Sequence, residues 1–304
     1  MLSQATDNFI IFTVNGGAGK NVMATAVVKA IKREYPEWNI VVVTGHRDIW
    51  LYNPYIYRSY QYGNMPHFYQ DFVKDKNVKI LNLEPYQTQE YILKQKHLIP
   101  LWCELCGVEY KGETIELFFN NREAEFFQQN TLAGINQPIM VVQTNGGGPS
   151  DIKYSWMRDM PLSVAQEVVN HFANQYKVIH IRREDQLPLQ NTDLFRGGIR
   201  ELMLLIRFSE KRLLIDSVGQ HIAASFGLPS VVTWVRNTPE MLGYSIHTNI
   251  VTSVPDELDT VFNSFLEPYD IGGVIYQSPF REGTRLFNSE EIIKALENTN
   301  QINQ

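Results

Sequence analysis

A chain of 304 residues with 44% hydrophobic and 20% charged residues can build two ordinary globular domains, and a net charge of −6 argues against a nucleic-acid partner held by bulk electrostatics. No apolar run approaches the roughly 20 residues of a membrane span, and the opening MLSQATDNFIIFTV lacks a basic n-region and a small-residue cleavage site, so no signal peptide is expected. Two cysteines, Cys103 and Cys106, exclude a disulfide framework, so a reducing cytoplasm is the expected setting.

Residues 9–14 read as a strand, 22–35 as a helix stopped by Pro36, and 40–44 as a second strand. Together they make a βαβ unit whose first turn is Asn15-Gly16-Gly17-Ala18-Gly19-Lys20. The turn is not a Walker A loop: Val14 stands where its first glycine belongs, and Asn21 where a hydroxyl would meet magnesium. It lacks the acidic partner of a dinucleotide fingerprint, because the second strand ends in Thr44-Gly45-His46. Two readings remain, a plain tight turn or a loop that lets backbone approach a ligand or an opposing domain. The aromatic stretch from Trp50 through Tyr52, Tyr55, Tyr57, Tyr60 and Tyr62 to Phe68 and Tyr69 suits packing at a cleft or stacking on sugar rings. Residues 78–83 read as a third strand ending in Glu84-Pro85, and 88–106 as one helix carrying both cysteines. A lone C-x-x-C at a helix end has too few ligands for tetrahedral zinc and the wrong place for a redox motif, so two half-buried structural thiols are expected. Residues 120–137 are polar, with a helix and then a linker.

The second half repeats the opening of the first. A strand over 139–143 leads into Thr144-Asn145-Gly146-Gly147-Gly148-Pro149-Ser150. Lys153, Trp156 and Arg158 follow, then a helix over 161–176, a strand over 177–181 closed by Arg182, and a helix over 198–209. Residues 212–215 form a short apolar strand ended by Asp216 and Ser217. His221, Ala223, Ala224 and Phe226 have helical spacing, Gly227 and Pro229 stop that helix, and 231–235 is a β-branched strand. An Asp, a Ser and a helix start thus meet at the carboxyl end of a strand, where open α/β sheets bind ligands and helix N-termini attract phosphate. The tail over 269–285 is rich in glycine and aromatics, and 289–296 forms a terminal helix. The expected class is α/β, with two domains of similar start over 1–136 and 137–304 and the last helix free to pack back on the first domain.

Asp216-Ser217-Val218-Gly219-Gln220-His221, Ala223-Ala224 and Gly227-Leu228-Pro229 resemble the D-[ST]-G-x-x-H-x-A-A and Gly-Pro signature of the family-9 glycosyltransferases, typified by ADP-heptose:lipopolysaccharide heptosyltransferases. Lys153, Trp156 and Pro161 are similar to that family's K-x-x-W segment, and Gly198 to Arg212 to its preceding helix. Thr25, Arg33, Pro36 and Asn53-Pro54 fit its first domain. The resemblance implies a GT-B fold, two Rossmann-like domains with parallel sheets facing across a cleft, the donor held mainly by the second. Two positions depart from the pattern: Val218 replaces a glycine, and Lys20 replaces the aspartate proposed as catalytic base.

That resemblance makes Asp216, Ser217, Val218, Gly219 and His221, with Lys153 and the amides of Gly146, Gly147 and Gly148, the expected contacts to a nucleotide-sugar donor. Such transfer needs a base for the acceptor hydroxyl and neutralisation of a departing diphosphate. GT-B enzymes do the latter without a bound metal or cofactor, using amides, helix dipoles and basic side chains; Arg158 and Arg182 are further candidates here. A lysine is cationic at neutral pH, so Lys20 does not inherit the base role; it could instead add positive charge beside the diphosphate or recruit an anionic acceptor. The candidate bases are His46, Asp48 and Glu84, at the ends of first-domain strands. The implied function is sugar transfer to a saccharide or glycolipid such as lipopolysaccharide core. The alternatives are transfer to a modified base in DNA, as in phage GT-B enzymes, or nucleotide-sugar binding without turnover.

Overall fold

The structure is a computed structural model and describes residues 7–147, 153–252, 278, 280–281 and 283–299. In the first half, strands β1 (Asn8–Val14), β2 (Asn39–Thr44), β3 (Arg58–Gln61) and β4 (Asn77–Leu81) form a parallel sheet in the order β3-β2-β1-β4. Central β1 and β2 are almost wholly buried, as their unbroken Ile/Val/Phe runs require, whereas the edge strand β4 leaves Ile80 exposed. Helix α1 (Ala18–Glu34) joins β1 to β2 and is buried over most of its length, because α4 (Leu98–Leu105) and α8 (Val218–Ser225) pack against it as well.

Between these elements lie α2 (Phe68–Phe72), α3 (Gln89–Ile92) and 3-10 turns at Arg47–Trp50 and Pro85–Gln87. The single helix expected over 88–106 is therefore two. Thr88 caps α3 by accepting from Tyr91 N, Lys94 turns the chain at φ 55°, and His97 caps α4 by accepting from Ile99 N. Pro100 explains the break: without an amide it is tolerated only in a helix's first turn, so α4 starts just before it. Helix α5 (Asn121–Phe126), capped by Asn120, runs into a π turn at Phe127–Thr131.

The second sheet contains β5 (Ile139–Gln143), β6 (Lys177–Ile181), β7 (Asp193–Leu194), β8 (Lys211–Ile215), β9 (Val231–Trp234) and β10 (Thr248–Val251), all parallel, in the order β10-β9-β8-β5-β6-β7. Helices α6 (Leu162–Phe172), α7 (Ile199–Phe208), α8, α9 (Pro239–Leu242) and α10 (Ser289–Asn298) accompany it. The terminal helix packs against α6, β8 and β9 of this sheet rather than back on the first domain, because Ile292 and Leu296 share a core with Met140, Val168 and Leu213. The expected glycine- and aromatic-rich tail over 269–285 falls largely outside the described residues. A second core is continuous from Ile10 and Phe12 through α1 and Ile222 to Leu214 and Trp234, so apolar packing joins the two halves. Among the described residues no helix is long and apolar enough to cross a membrane.

Both sheets reverse their strand order once, between β1 and β4 in the first and between β5 and β8 in the second. Parallel sheets form their binding crevices beyond the carboxyl ends of the strands at such reversals.

Candidate active site

A cavity of about 580 Å³ lies where the two reversals face each other, within the size range of small-molecule sites. Its first wall includes Gly17, Ala18, Gly19 and Lys20 from the start of α1, His46 from the end of β2, and Tyr86 and Tyr91. Its second wall includes Asp216, Ser217 and Val218 from the β8–α8 turn, with Gly147, Arg158, Arg236 and Asn237.

The glycine turn acts by close approach. Gly16 has φ +95°, which turns the chain off β1, and Gly17 starts α1 with no side-chain cap. A Cβ on Gly19 would stand 3.0 Å from His221 Cδ2 and 3.6 Å from Val218 Cα, so the start of α1 touches the start of α8 across the domains. Ser217 begins α8 and likewise makes no side-chain cap bond. Two uncapped helix N-termini therefore meet one cavity, and their orphan amides and dipoles favour an anion there.

On the first wall, Lys20 is buried, and its Nζ donates to both carboxylate oxygens of Glu84 at 2.5 and 2.6 Å. It also lies 4.8 Å from the Tyr86 ring centroid and 5.2 Å from that of Trp102. Burial lowers its pKa, opposed by the hydrogen bond and charge of Glu84. The ion pair therefore spends Lys20's charge internally, which argues against its use in recruiting an anionic acceptor. Asn21 is buried beside it, donating to the Gly17 carbonyl and accepting from Thr44 Oγ1 and Trp50 Nε1, and so ties α1 to the end of β2. His46 follows, half-buried, its pKa lowered by burial.

On the second wall, Asp216 is buried and accepts from Asn237 Nδ2 at 2.6 Å. Burial raises its pKa, opposed by that bond and by the charges of Arg158 and Arg236. Arg158 donates to the Gly147 carbonyl, and Arg236 Nη1 lies 2.9 Å from Met157 Sδ. The 236–243 loop is held from the first domain: Lys94 donates to the Arg236 carbonyl at 2.8 Å, and His97 Nε2 lies 3.1 Å from the Gly243 carbonyl.

The expected site residues separate into three groups. Lys20, His46, Gly147, Asp216, Ser217, Val218 and His221 line the cavity. Glu84 meets it only through Lys20, and Gly219 sits in α8 against Gln143 and Leu214. Asp48 is exposed on the 3-10 turn away from the cavity, its carbonyl accepting from Arg200 Nη1. Lys153 is also exposed and outside the cavity lining, with its carbonyl taken up by Asn145 and Gln186. The Gly146 amide is occupied, donating at 2.8 Å to Asp159, whose carboxylate also holds the Ser155 amide and the Asn145 side chain. Gly148 lies outside the described residues. Arg182 folds onto its own loop, donating to the carbonyls of Arg183, Glu184 and Gln186. His221 is a packing residue as well as a lining one: its Nδ1 is 2.8 Å from Tyr244 Oη, and burial with two histidine neighbours pushes its pKa down to about 3. The cysteines are buried and free, their thiols pushed up by burial to about 11 for Cys103 and about 12 for Cys106, so neither ionises near neutral pH.

Tyr86, Tyr91, Met157, Arg236 and Asn237 line the cavity without having been singled out from the sequence. Position carried the missing signal: Tyr86 follows the β4 end and Asn237 the β9 end, and strand ends at a reversal are where ligand contacts gather.

The chain aligns over 97% of its length, and 97% of the other chain, with a glycosyl transferase family 9 structure from Veillonella parvula, at TM-score 0.66 and 14% identity. The chain has the GT-B fold. The same arrangement is found in E. coli ADP-heptose LPS heptosyltransferase II, with TM-score 0.61, 11% identity and coverage of 82% of this chain and 91% of that one. It is found again in the iron-containing dodecameric glycosyltransferase TibC from enterotoxigenic E. coli, with TM-score 0.67, 13% identity and coverage of 100% and 78%. No protein-family model and no curated protein sequence matches the chain. Within the GT-B frame, the cavity occupies the cleft between the two Rossmann-like halves, with α1 on one side and α8 on the other.

Proposed function

We propose that the chain is a glycosyltransferase that moves a sugar from a nucleotide-sugar donor to a saccharide or glycolipid acceptor, without a bound metal or cofactor and in the cytoplasm. The observation that carries this reading is the convergence of two uncapped helix N-termini, Arg158 and Arg236 on one cleft of a GT-B fold. A nucleoside diphosphate leaving group carries negative charge, and preorganised amides and guanidinium groups are the means by which a protein stabilises it as it forms. Asp216, held by Asn237, is positioned to accept hydrogen bonds from donor hydroxyls, and Ser217 offers a hydroxyl beside it. TibC was solved with ADP-D-beta-D-heptose, and heptosyltransferase II is described as acting on LPS. An ADP-linked sugar and a lipopolysaccharide-core saccharide are therefore the first pair to try.

The test is nucleoside diphosphate release from ADP-heptose, ADP-glucose, UDP-glucose and GDP-mannose, with and without lipopolysaccharide-core oligosaccharide. Acceptor-stimulated release from one donor is the expected result. Donor binding with no release under any condition would instead mark a nucleotide-sugar-binding protein and sink the transferase reading.

A further inference from the structure

The geometry points to His46 as the proton acceptor of the transfer, a role that rests on the transferase reading above. The other acid–base side chains named so far, on the cavity or behind it, are engaged or sit on the second wall. Glu84 gives both oxygens to Lys20 Nζ, and one of them also accepts from Tyr86 N. Lys20 is held in that ion pair. Asp216 accepts from Asn237 at the donor side of the cleft. His221 bonds Tyr244 through Nδ1, and its other ring edge abuts Gly19. Arg158 and Arg236 are cations, and burial moves the Tyr86 phenol further from ionisation at neutral pH.

His46 differs on each point. It lies at the carboxyl end of β2 on the first wall, opposite the donor half. Its backbone is pinned on both sides: the amide donates to Thr44 Oγ1 at 3.1 Å, and the carbonyl accepts from Ile49 N at 3.1 Å. Its half-buried ring hydrogen-bonds no described residue, although it lines the cavity. A fixed backbone with an uncommitted imidazole is what a base needs if its partner is the acceptor hydroxyl. Burial lowers its pKa below 6.5, so the ring is neutral and able to accept near pH 7.

In the step assigned to it, an imidazole nitrogen takes the proton of the acceptor hydroxyl as that oxygen's electron pair bonds the anomeric carbon. The bond from that carbon to the diphosphate oxygen breaks, and its electron pair leaves on the nucleoside diphosphate. The imidazolium then returns its proton to solvent.

The test compares wild type with His46→Gln and His46→Asn, using the donor panel and lipopolysaccharide-core oligosaccharide named above. Donor affinity by calorimetry is expected to stay within about twofold, while kcat falls about 10²- to 10⁴-fold. In wild type kcat/KM should rise with pH through an acid limb below 6.5, and that limb should be missing from the residual activity of both variants. Folded variants that keep the wild-type rate and its acid limb overturn the role of His46 and leave the transferase reading standing. A wild-type chain inert with every donor overturns both, and that failure is visible without any variant.

Discussion

At the first sheet's reversal a lysine faces a glutamate; at the second's an aspartate faces an asparagine, with two arginines alongside. The two walls share a construction, strand then uncapped turn then helix, and their helices touch at Gly19 and His221. They differ in where the charge goes. The first wall neutralises itself, Lys20 against Glu84, and leaves His46 on the cavity with its pKa lowered by burial. The second leaves Arg158 and Arg236 on the cavity beside a single carboxylate. One topology can therefore supply a wall that carries arginines and a nearly neutral one, and the side chains at the strand ends decide which.

Acid should separate the two halves most strongly. The histidines held furthest below their usual range, His221 at about 3 and His180 and His247 at about 4, all belong to the second half. Neutral when folded, they gain protons on unfolding once pH drops below 6.5, so the stability they confer is present above that pH and is lost as pH falls toward 4. Each contributes a slope of about 1.4 kcal/mol per pH unit. Denaturant unfolding at pH 7 and pH 4.5 should show a loss of several kcal/mol, and hydrogen exchange should open β8, α8 and β9 before β1 and β2.

Removing one partner of the first wall's ion pair comes next. Glu84→Gln leaves Lys20 buried without its counter-charge and should cost about 3 kcal/mol in chemical denaturation. The double change Lys20→Met with Glu84→Gln should recover most of it. Arg158→Ala tests the other wall: a lost hydrogen bond to a charged ligand is worth about 1.5–3 kcal/mol, roughly 10- to 100-fold in donor affinity, with stability little changed. Equal donor affinity in the variant would remove Arg158 from the anion site. The smallest effect belongs to Ser217→Ala. An ordinary N-cap serine is worth about 1 kcal/mol, but this one makes no cap bond, so the thermal midpoint should barely move. A loss of donor affinity alone would assign the hydroxyl to the ligand.

The sequence made the strand–turn–helix units legible where pattern and chemistry agreed. Asp216-Ser217 ends β8 as read, and the repeated glycine turns mark the carboxyl ends of two interior strands, β1 and β5. Short edge strands escaped it: β3, β7 and β10 have two to four residues each, too few for a period to show. Side-chain partners escaped it too. Nothing local in Asp159 says that it will claim the Gly146 amide, or in Glu84 that it will turn to Lys20, because these pairs are 13 and 64 residues apart and exist only once the sheets are assembled. Nothing local in the glycine turn tells a plain turn from a close approach, because the partner that decides it, His221 against Gly19, comes from the other half of the chain.

The ion pair at the head of the first sheet also constrains how this chain can change. Lys20→Asp alone would place a second carboxylate against Glu84 in a buried pocket, where like charges cannot both stay ionised. Positions 20 and 84 are thus epistatic: each sets which residue the other tolerates. A relative with an acidic residue at the first position is expected to carry a neutral or basic one at the second, and the route between the two forms passes through a destabilised intermediate unless both change together.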